Sequence, residues 1–328
     1  MSRFRLAGIA VISMLLATSL ALAPLAAQAD YPTRPIKIVL PVPPGTALDV
    51  VTRVIADQMS RNLGQQILVE PQPGAGGLLA AQAVAAAPAD GYTLLGGAAG
   101  IFTILPAQKD KLPIDMGRDF THIGMIVGRG VMFLAVPPKL GIKSFPELVA
   151  RMKSKPGEIV IGTNGAGTLP HYAGLLLQKK GGLPFTLVPY NKCGTPAAVG
   201  DIMGGRVHAT IEAAFGLLGP LQSGDLQLIG VMSTERDPDF PDVPAVAETL
   251  PGLTAVGFMS LAAPAKTPEA IIRRLNESLN QALASPAVKQ RFAELGVPIS
   301  VVSPTQATAF VDQQRAIWLP LVKDLEGH

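Results

Sequence analysis

Two short glycine-rich runs hold the residue types best suited to gripping an anion. Pro43-Pro44-Gly45-Thr46 lies between a β-branched run and an amphipathic one. Thr163-Asn164-Gly165-Ala166-Gly167-Thr168 has the same setting, with Pro170 early in the helical stretch that follows. A helix that opens directly after a strand leaves its first amides without carbonyl partners and turns the positive end of its dipole outward. A carboxylate suits such a gap, and Thr163, Thr168 and His171 add side-chain donors to the second run. A helix cap without a ligand accounts equally well for the first run taken alone. Pro73-Gly74-Ala75-Gly76-Gly77 and Gly194-Thr195-Pro196 have the same form, Thr195 being able to cap and Pro196 to start a helix. Doubly wound sheets set several such turns along one edge whatever they bind, so their number alone decides nothing.

Other chemistries find less support. Gly165-Ala166-Gly167 lacks the third glycine and the acidic residue about twenty positions on that a dinucleotide site needs, and neither turn ends in the Gly-Lys-Ser/Thr of a P-loop. Four histidines and one cysteine show no metal-ligand spacing. Cys193 stands in a loop-like stretch with no base beside it, and His122 and His208 fall in strand-like segments where a structural role is expected. Lys192 could meet a second ligand carboxylate or simply water. No paired carboxylates and no Ser-His-Asp set in a recognisable context are present, so neither an enzyme nor a cofactor is expected.

The elements that must position these turns alternate. Strands are predicted over 36–40, 67–70, 92–95, 132–136, 158–162, 186–188, 207–211 and 226–231, with helices between them. Over 48–62, Leu48, Val51, Val54, Ile55 and Met59 share one face while Asp49, Arg53 and Asp57 share another, the pattern of a helix lying on a sheet. Thr267-Pro268, Ser285-Pro286 and Ser303-Pro304 each pair an N-cap hydroxyl with proline at the first helical position, predicting three closing helices. The second of these stops at Gly296, and the third carries Trp318 and a kink at Pro320. The fold class is α/β.

Length and composition set the frame. At 328 residues the chain is near the limit of one core, so two lobes are expected, and no stretch reads as a flexible linker between them. Hydrophobic residues at 48% against 16% charged exclude intrinsic disorder, and a net charge of +3 offers nucleic acid no attractive field. Residues 1–29 read as a cleaved export signal: Arg3 and Arg5, an apolar stretch from Leu6 to Ala23, then Ala27-Gln28-Ala29. Its removal leaves 25 basic and 24 acidic side chains on 299 residues beginning at Asp30. An exported chain with a lone cysteine fits a bacterial periplasm.

The motifs in order resemble one family. Tyr31-Pro32-Thr33-Arg34-Pro35-Ile36, Pro43-Pro44-Gly45 with Asp49, Leu63-Gly64-Gln65, Pro73-Gly74-Ala75-Gly76-Gly77 and Asp90-Gly91-Tyr92-Thr93-Leu94-Leu95 lead. Arg118-Asp119-Phe120, Val188-Pro189-Tyr190 and Ala263-Pro264-Ala265 follow. Together they are similar to the Bug-type extracytoplasmic solute receptors of tripartite tricarboxylate transporters, over Tyr31 to about Val322. The resemblance implies a periplasmic binding protein with the Venus-flytrap fold, a sheet flanked by helices in each lobe and two crossings between them. It implies lobes of 30–130 with 255–328 and of 131–254, and a monomer that binds an organic acid tightly and hands it to membrane transporter subunits. A dicarboxylate is favoured, a tricarboxylate or aromatic acid being the other candidates. A ligand-sensing partner of a membrane signalling protein, or a periplasmic enzyme acting on carboxylates, would need a different docking surface or a catalytic set.

The expected contacts are Pro44, Gly45, Thr46 and Asp49 from the first turn and Thr163, Asn164, Gly165, Ala166, Gly167, Thr168 and His171 from the opposing one. Gly76, Gly77, Glu212 and Phe258 complete the set. Departures from the family pattern are Thr46 for a second glycine, Pro71-Gln72 for Asn-Arg, Asn191-Lys192 for a basic-Gly pair, Glu212 for Asp and Gly257-Phe258 for Trp-Phe. They leave the distal end of the pocket without a family assignment.

Overall fold

Strand β1 (Ile36–Leu40) feeds helix α1 (Ala47–Leu63), and the pair shows how sequence becomes scaffold. In α1, Leu48, Val51, Ile55 and Met59 recur at helical spacing and are all buried, each contributing about 1.5–3 kcal/mol of apolar burial. The helix ends at Gly64, whose φ of 68° gives the left-handed C-terminal turn. The computed structural model describes residues 31–108, 112–191 and 194–326. The expected export segment 1–29, Asp30, Lys192 and Cys193 lie outside the described residues.

After β2 (Ile67–Pro71) come α2 (Leu78–Ala85), β3 (Thr93–Ala98), a wide turn over Gly100–Ile104 and α3 (Leu105–Gln108). The 17-residue strand β4 (Phe120–Val136) is followed by α4 (Phe145–Ser154), β5 (Val160–Asn164), α5 (Leu169–Leu175), β6 (Thr186–Tyr190) and α6 (Gly194–Met203). Then come β7 (Ala209–Ala213), α7 (Leu218–Gln222), β8 (Gln227–Val231), α8 (Val246–Thr249) and β9 (Val256–Pro264). Helices α9 (Glu269–Ala284), α10 (Pro286–Glu294) and α11 (Pro304–Glu326) close the chain.

The sheet changes partners along β4. Strand β1 pairs in parallel with β2 and β3, and β3 meets β9 antiparallel. From Phe120 to Val131 β4 pairs with β9; from Met132 onward it pairs with β7 and β8, while β5 lies parallel between β6 and β7. The change falls where the Met132 amide donates to the Ala255 carbonyl and the Ala255 amide to that of Met232. Nearly every residue of β4 is buried, Arg129 being the exposed one, as a strand covered on both faces requires.

The structure differs from the sequence expectation in places with a clear cause. The strand expected over 132–136 is only the end of β4, and β9 was not expected at all: Gly124, Gly128, Gly130 and Gly257 interrupt the β pattern of these two strands. Thr267 does not cap α9. Its hydroxyl donates to the Pro264 carbonyl, and Pro268, with extended backbone, takes the N-cap position. Ser285 does cap α10, accepting from the Val288 amide at 3.3 Å, and the Gln306 amide donates to Ser303 Oγ at 3.2 Å at the start of α11. Thr195, expected as a cap, lies inside α6. Helix α11 continues through Pro320.

His122 of β4 is buried beside β9 and explains one pH dependence. Ser260 Oγ donates to the Gly124 carbonyl at 3.0 Å, so its contact with His122 Nδ1 at 2.9 Å places the ring proton on Nδ1. Nε2 is then a bare acceptor, buried without a partner among the described residues and next to the Phe102 ring. Burial, and secondarily the Arg315 guanidinium, push the His122 pKa down to about 3. Between that value and 6.5 the unfolded chain binds a proton that the native one refuses, so stability falls as pH drops through this window. A loss of about 2–3 kcal/mol is expected between pH 6.5 and 4.5. Thermal melts across that range should show a smaller decline for His122→Asn, which keeps a side-chain donor for Ser260 and cannot titrate.

Candidate ligand-binding site

The first turn is built around a carboxylate of the protein itself. Gly45 takes a φ of 80°, a left-handed conformation that disfavours any residue with a Cβ. Its amide donates to Asp49 Oδ2 at 2.9 Å, while Asp49 Oδ1 accepts from Arg53 Nε at 2.9 Å. Asp49 is 3% exposed, so where the sequence reading sets it against a ligand, the structure gives both its oxygens partners within the chain. Thr46 Oγ1 donates to the Pro43 carbonyl at 3.0 Å, closing the turn, and Pro44 is exposed at its tip. Among the described residues no acceptor meets the amides of Thr46, Ala47 and Leu48. They are the orphan donors of the start of α1, and the positive end of its dipole lies there.

The second turn carries a more elaborate support. Asn164 ends β5, its Nδ2 donating to Glu212 Oε2 at 2.5 Å and its Oδ1 accepting from the Thr195 amide at 2.8 Å. Thr195 Oγ1 also donates to Glu212 Oε2, at 2.6 Å, and the Ala213 amide to Oε1 at 2.9 Å. Burial raises the Glu212 pKa, opposed by the Thr195 and Ala213 hydrogen bonds. Glu212, expected as a ligand contact, is thus enclosed by donors of its own chain. Thr168 Oγ1 donates back to the Gly165 carbonyl, and the Ala166 amide to Asn191 Oδ1 at 2.9 Å. Among the described residues the amides of Gly165, Gly167 and Leu169 have no acceptor, and neither does the fully buried Thr163 Oγ1.

The strand ends of the two groups meet. A Cβ built on Gly77 would lie 3.0 Å from both Ile101 Cδ1 and Pro41 Cβ, bringing the ends of β1, β2 and β3 together, and Gly76 next to it also has positive φ. A Cβ on Gly100 would lie 3.1 Å from the Gly167 carbonyl oxygen, so the turn after β3 rests against the second turn. Gly100 was missed in the sequence, although Gly96-Gly97-Ala98-Ala99-Gly100 is another strand end rich in small residues. Phe258, expected as a ligand contact, is packed among aromatic rings. It is 3% exposed, stacked on Phe102 at 6.3 Å and edge-on to Phe310 at 5.5 Å, a core position.

His171 lies in the first turn of α5, half-buried, its Nδ1 lacking a partner among the described residues. Burial lowers its pKa, opposed by the Glu326 carboxylate near the end of α11. That helix end grips α5 and its continuation. Tyr172 OH donates to Glu326 and accepts from Gln108 Nε2 at 2.9 Å, Lys179 Nζ reaches the Leu325 carbonyl, and Lys180 pairs with Asp324. Among the described residues no helix is long and apolar enough to cross a membrane.

Comparison with known proteins agrees with this architecture. A family model described as the tripartite tricarboxylate transporter family receptor matches residues 51–326. The chain is 34% identical to protein BugT of Bordetella pertussis over 318 residues, 96% of each chain. An adipate-bound protein from R. palustris superposes with a TM-score of 0.82 at 29% identity, covering 90% of this chain and 98% of that one. MatC from Rhodopseudomonas palustris, with bound malate, gives 0.80 at 29% identity, covering 89% and 100%. The fold is the α/β fold of periplasmic binding proteins.

Proposed function

The chain belongs to the tripartite tricarboxylate transporter receptor family, and from that premise we propose that it binds a dicarboxylate in the periplasm and delivers it to membrane transporter subunits without chemical change. The observation that carries this reading is the pair of strand-to-helix turns whose free amides, Thr46 to Leu48 and Gly165, Gly167 and Leu169, offer donors with no acceptor among the described residues. Donors of this kind desolvate a carboxylate without a cationic side chain, which suits a ligand that must also be released. The adipate and malate bound to the two similar R. palustris proteins favour an aliphatic dicarboxylate. We assign one lobe to 30–130 with 255–328 and the other to 131–254, crossing where β4 changes partners at Met132 and where the chain enters β9 beside it.

Calorimetry with malate, adipate, citrate and benzoate tests the proposal. One site per chain is expected, with malate or adipate binding at about 1 μM or tighter, roughly −8 kcal/mol. The acid should be recovered unaltered after incubation. Recovery of a converted acid would establish an enzyme, and failure of both dicarboxylates to bind would remove the proposed ligand class.

A further inference from the structure

The support of the second turn rests on one acid side chain that no cation among the described residues accompanies. Glu212 has no salt-bridge partner among the described residues, yet it is buried and accepts three hydrogen bonds, from Asn164 Nδ2, Thr195 Oγ1 and the Ala213 amide. A buried carboxylate is costly unless its lone pairs are filled, and among the described residues its donors come from the ends of β5 and β7 and the start of α6. The ring closes on itself, since Asn164 Oδ1 takes the Thr195 amide. Two glycines make room for it. A Cβ on Gly194 would lie 2.5 Å from Asn164 Oδ1, and one on Gly216 would lie 2.8 Å from Glu212 Cγ.

We propose that Glu212 is a positioning residue: acting as a shared acceptor, it ties Asn164 to Thr195 and thereby sets the direction of the Gly165, Gly167 and Leu169 amides, without touching the ligand. The inference rests on the proposed carboxylate-binding function for its effect on affinity, but the ordering of the turn is independent of any ligand. Asn164 is the residue immediately before Gly165, so its side-chain anchors fix the point from which the turn departs. The same tether consumes the Thr195 amide at the start of α6.

The test compares Glu212→Ala, Glu212→Gln and Gly216→Ala in the full chain, with malate and adipate as probes and amide hydrogen exchange as a ligand-free readout. In Glu212→Gln the amide oxygen can stand where Oε2 stands and keep Asn164 and Thr195, while Nε2 replaces Oε1 and must turn away from the Ala213 amide, donor facing donor, so affinity within about threefold of wild type is expected. Glu212→Ala should weaken binding tenfold or more and speed exchange over 165–169 and at Thr195 by a similar factor. Gly216→Ala, which drives a methyl into the Glu212 side chain, should reproduce both effects if Glu212→Ala does not fold. Wild-type affinity and exchange in Glu212→Ala would overturn the proposal. So would a Glu212→Gln as impaired as Glu212→Ala, because charge and not acceptor geometry would then be what matters. If the wild-type chain binds neither probe, the proposed ligand class fails, while the exchange comparison still decides the role of Glu212.

Discussion

Replacing Gly45 with valine is expected to weaken malate or adipate binding at least a hundredfold while leaving the chain folded. The backbone there holds a φ of 80°, so a β-branched residue pays strain of about 1–2 kcal/mol or somewhat more. Against a usual stability of about 5–15 kcal/mol this does not unfold the protein. Beyond its two chain neighbours, no atom of the described residues lies within 4 Å of a Cβ built on Gly45, so the added side chain enters open space beside the free amides of α1. Gly64 supplies the control. It has a φ of 68°, equally open surroundings, and sits at the opposite end of the same helix. Gly64→Val should lower the melting temperature about as much and leave the calorimetric affinity unchanged. Affinity retained in Gly45→Val, or lost equally in both variants, would mean that the first turn is not where the anion sits.

That contrast also marks what could be read from sequence. The β1 to α1 unit was legible because both periods are local, a run of β-branched residues and then apolar positions at helical spacing. The crossing region was not. Gly130 and Gly257 face each other so closely that a Cβ on Gly257 would lie 2.9 Å from the Gly130 carbonyl, and Ser300 packs on Gly128. Glycines placed for close approach of distant segments look like turn residues when only neighbours in sequence are considered. The same limit applies to the site. The turns announce themselves through local composition, but the roles of their acids depend on contacts. Asp49 reaches back four residues to the Gly45 amide, and Asn164 meets Glu212 across 48 residues. The family resemblance implies ligand contacts for Asp49, Glu212 and Phe258. The structure surrounds each of the three with its own chain.

The end of α11 should be the other place where a single change has a large effect, and the magnitudes separate its parts. Lys180 and Asp324 pair in the open, at 45% and 55% side-chain exposure, so Lys180→Ala should cost no more than about 0.2–1 kcal/mol. Tyr172→Phe leaves Gln108 and Glu326 without the hydroxyl between them, a loss of about 1–2 kcal/mol in a half-buried setting. Leu325 is 1% exposed in the main core cluster together with Leu169, Tyr172 and Trp318, so Leu325→Ala should cost about 2–5 kcal/mol. Under the lobe assignment proposed above, Leu325 belongs to one lobe and α5 to the other, and α5 opens directly from the second turn. Removing the Leu325 side chain should therefore loosen the join between the end of α11 and α5 more than either lobe, and stopped-flow release of malate or adipate should be about tenfold faster in Leu325→Ala. A lower melting temperature with an unchanged release rate would make Leu325 an ordinary core residue with no part in holding the lobes together.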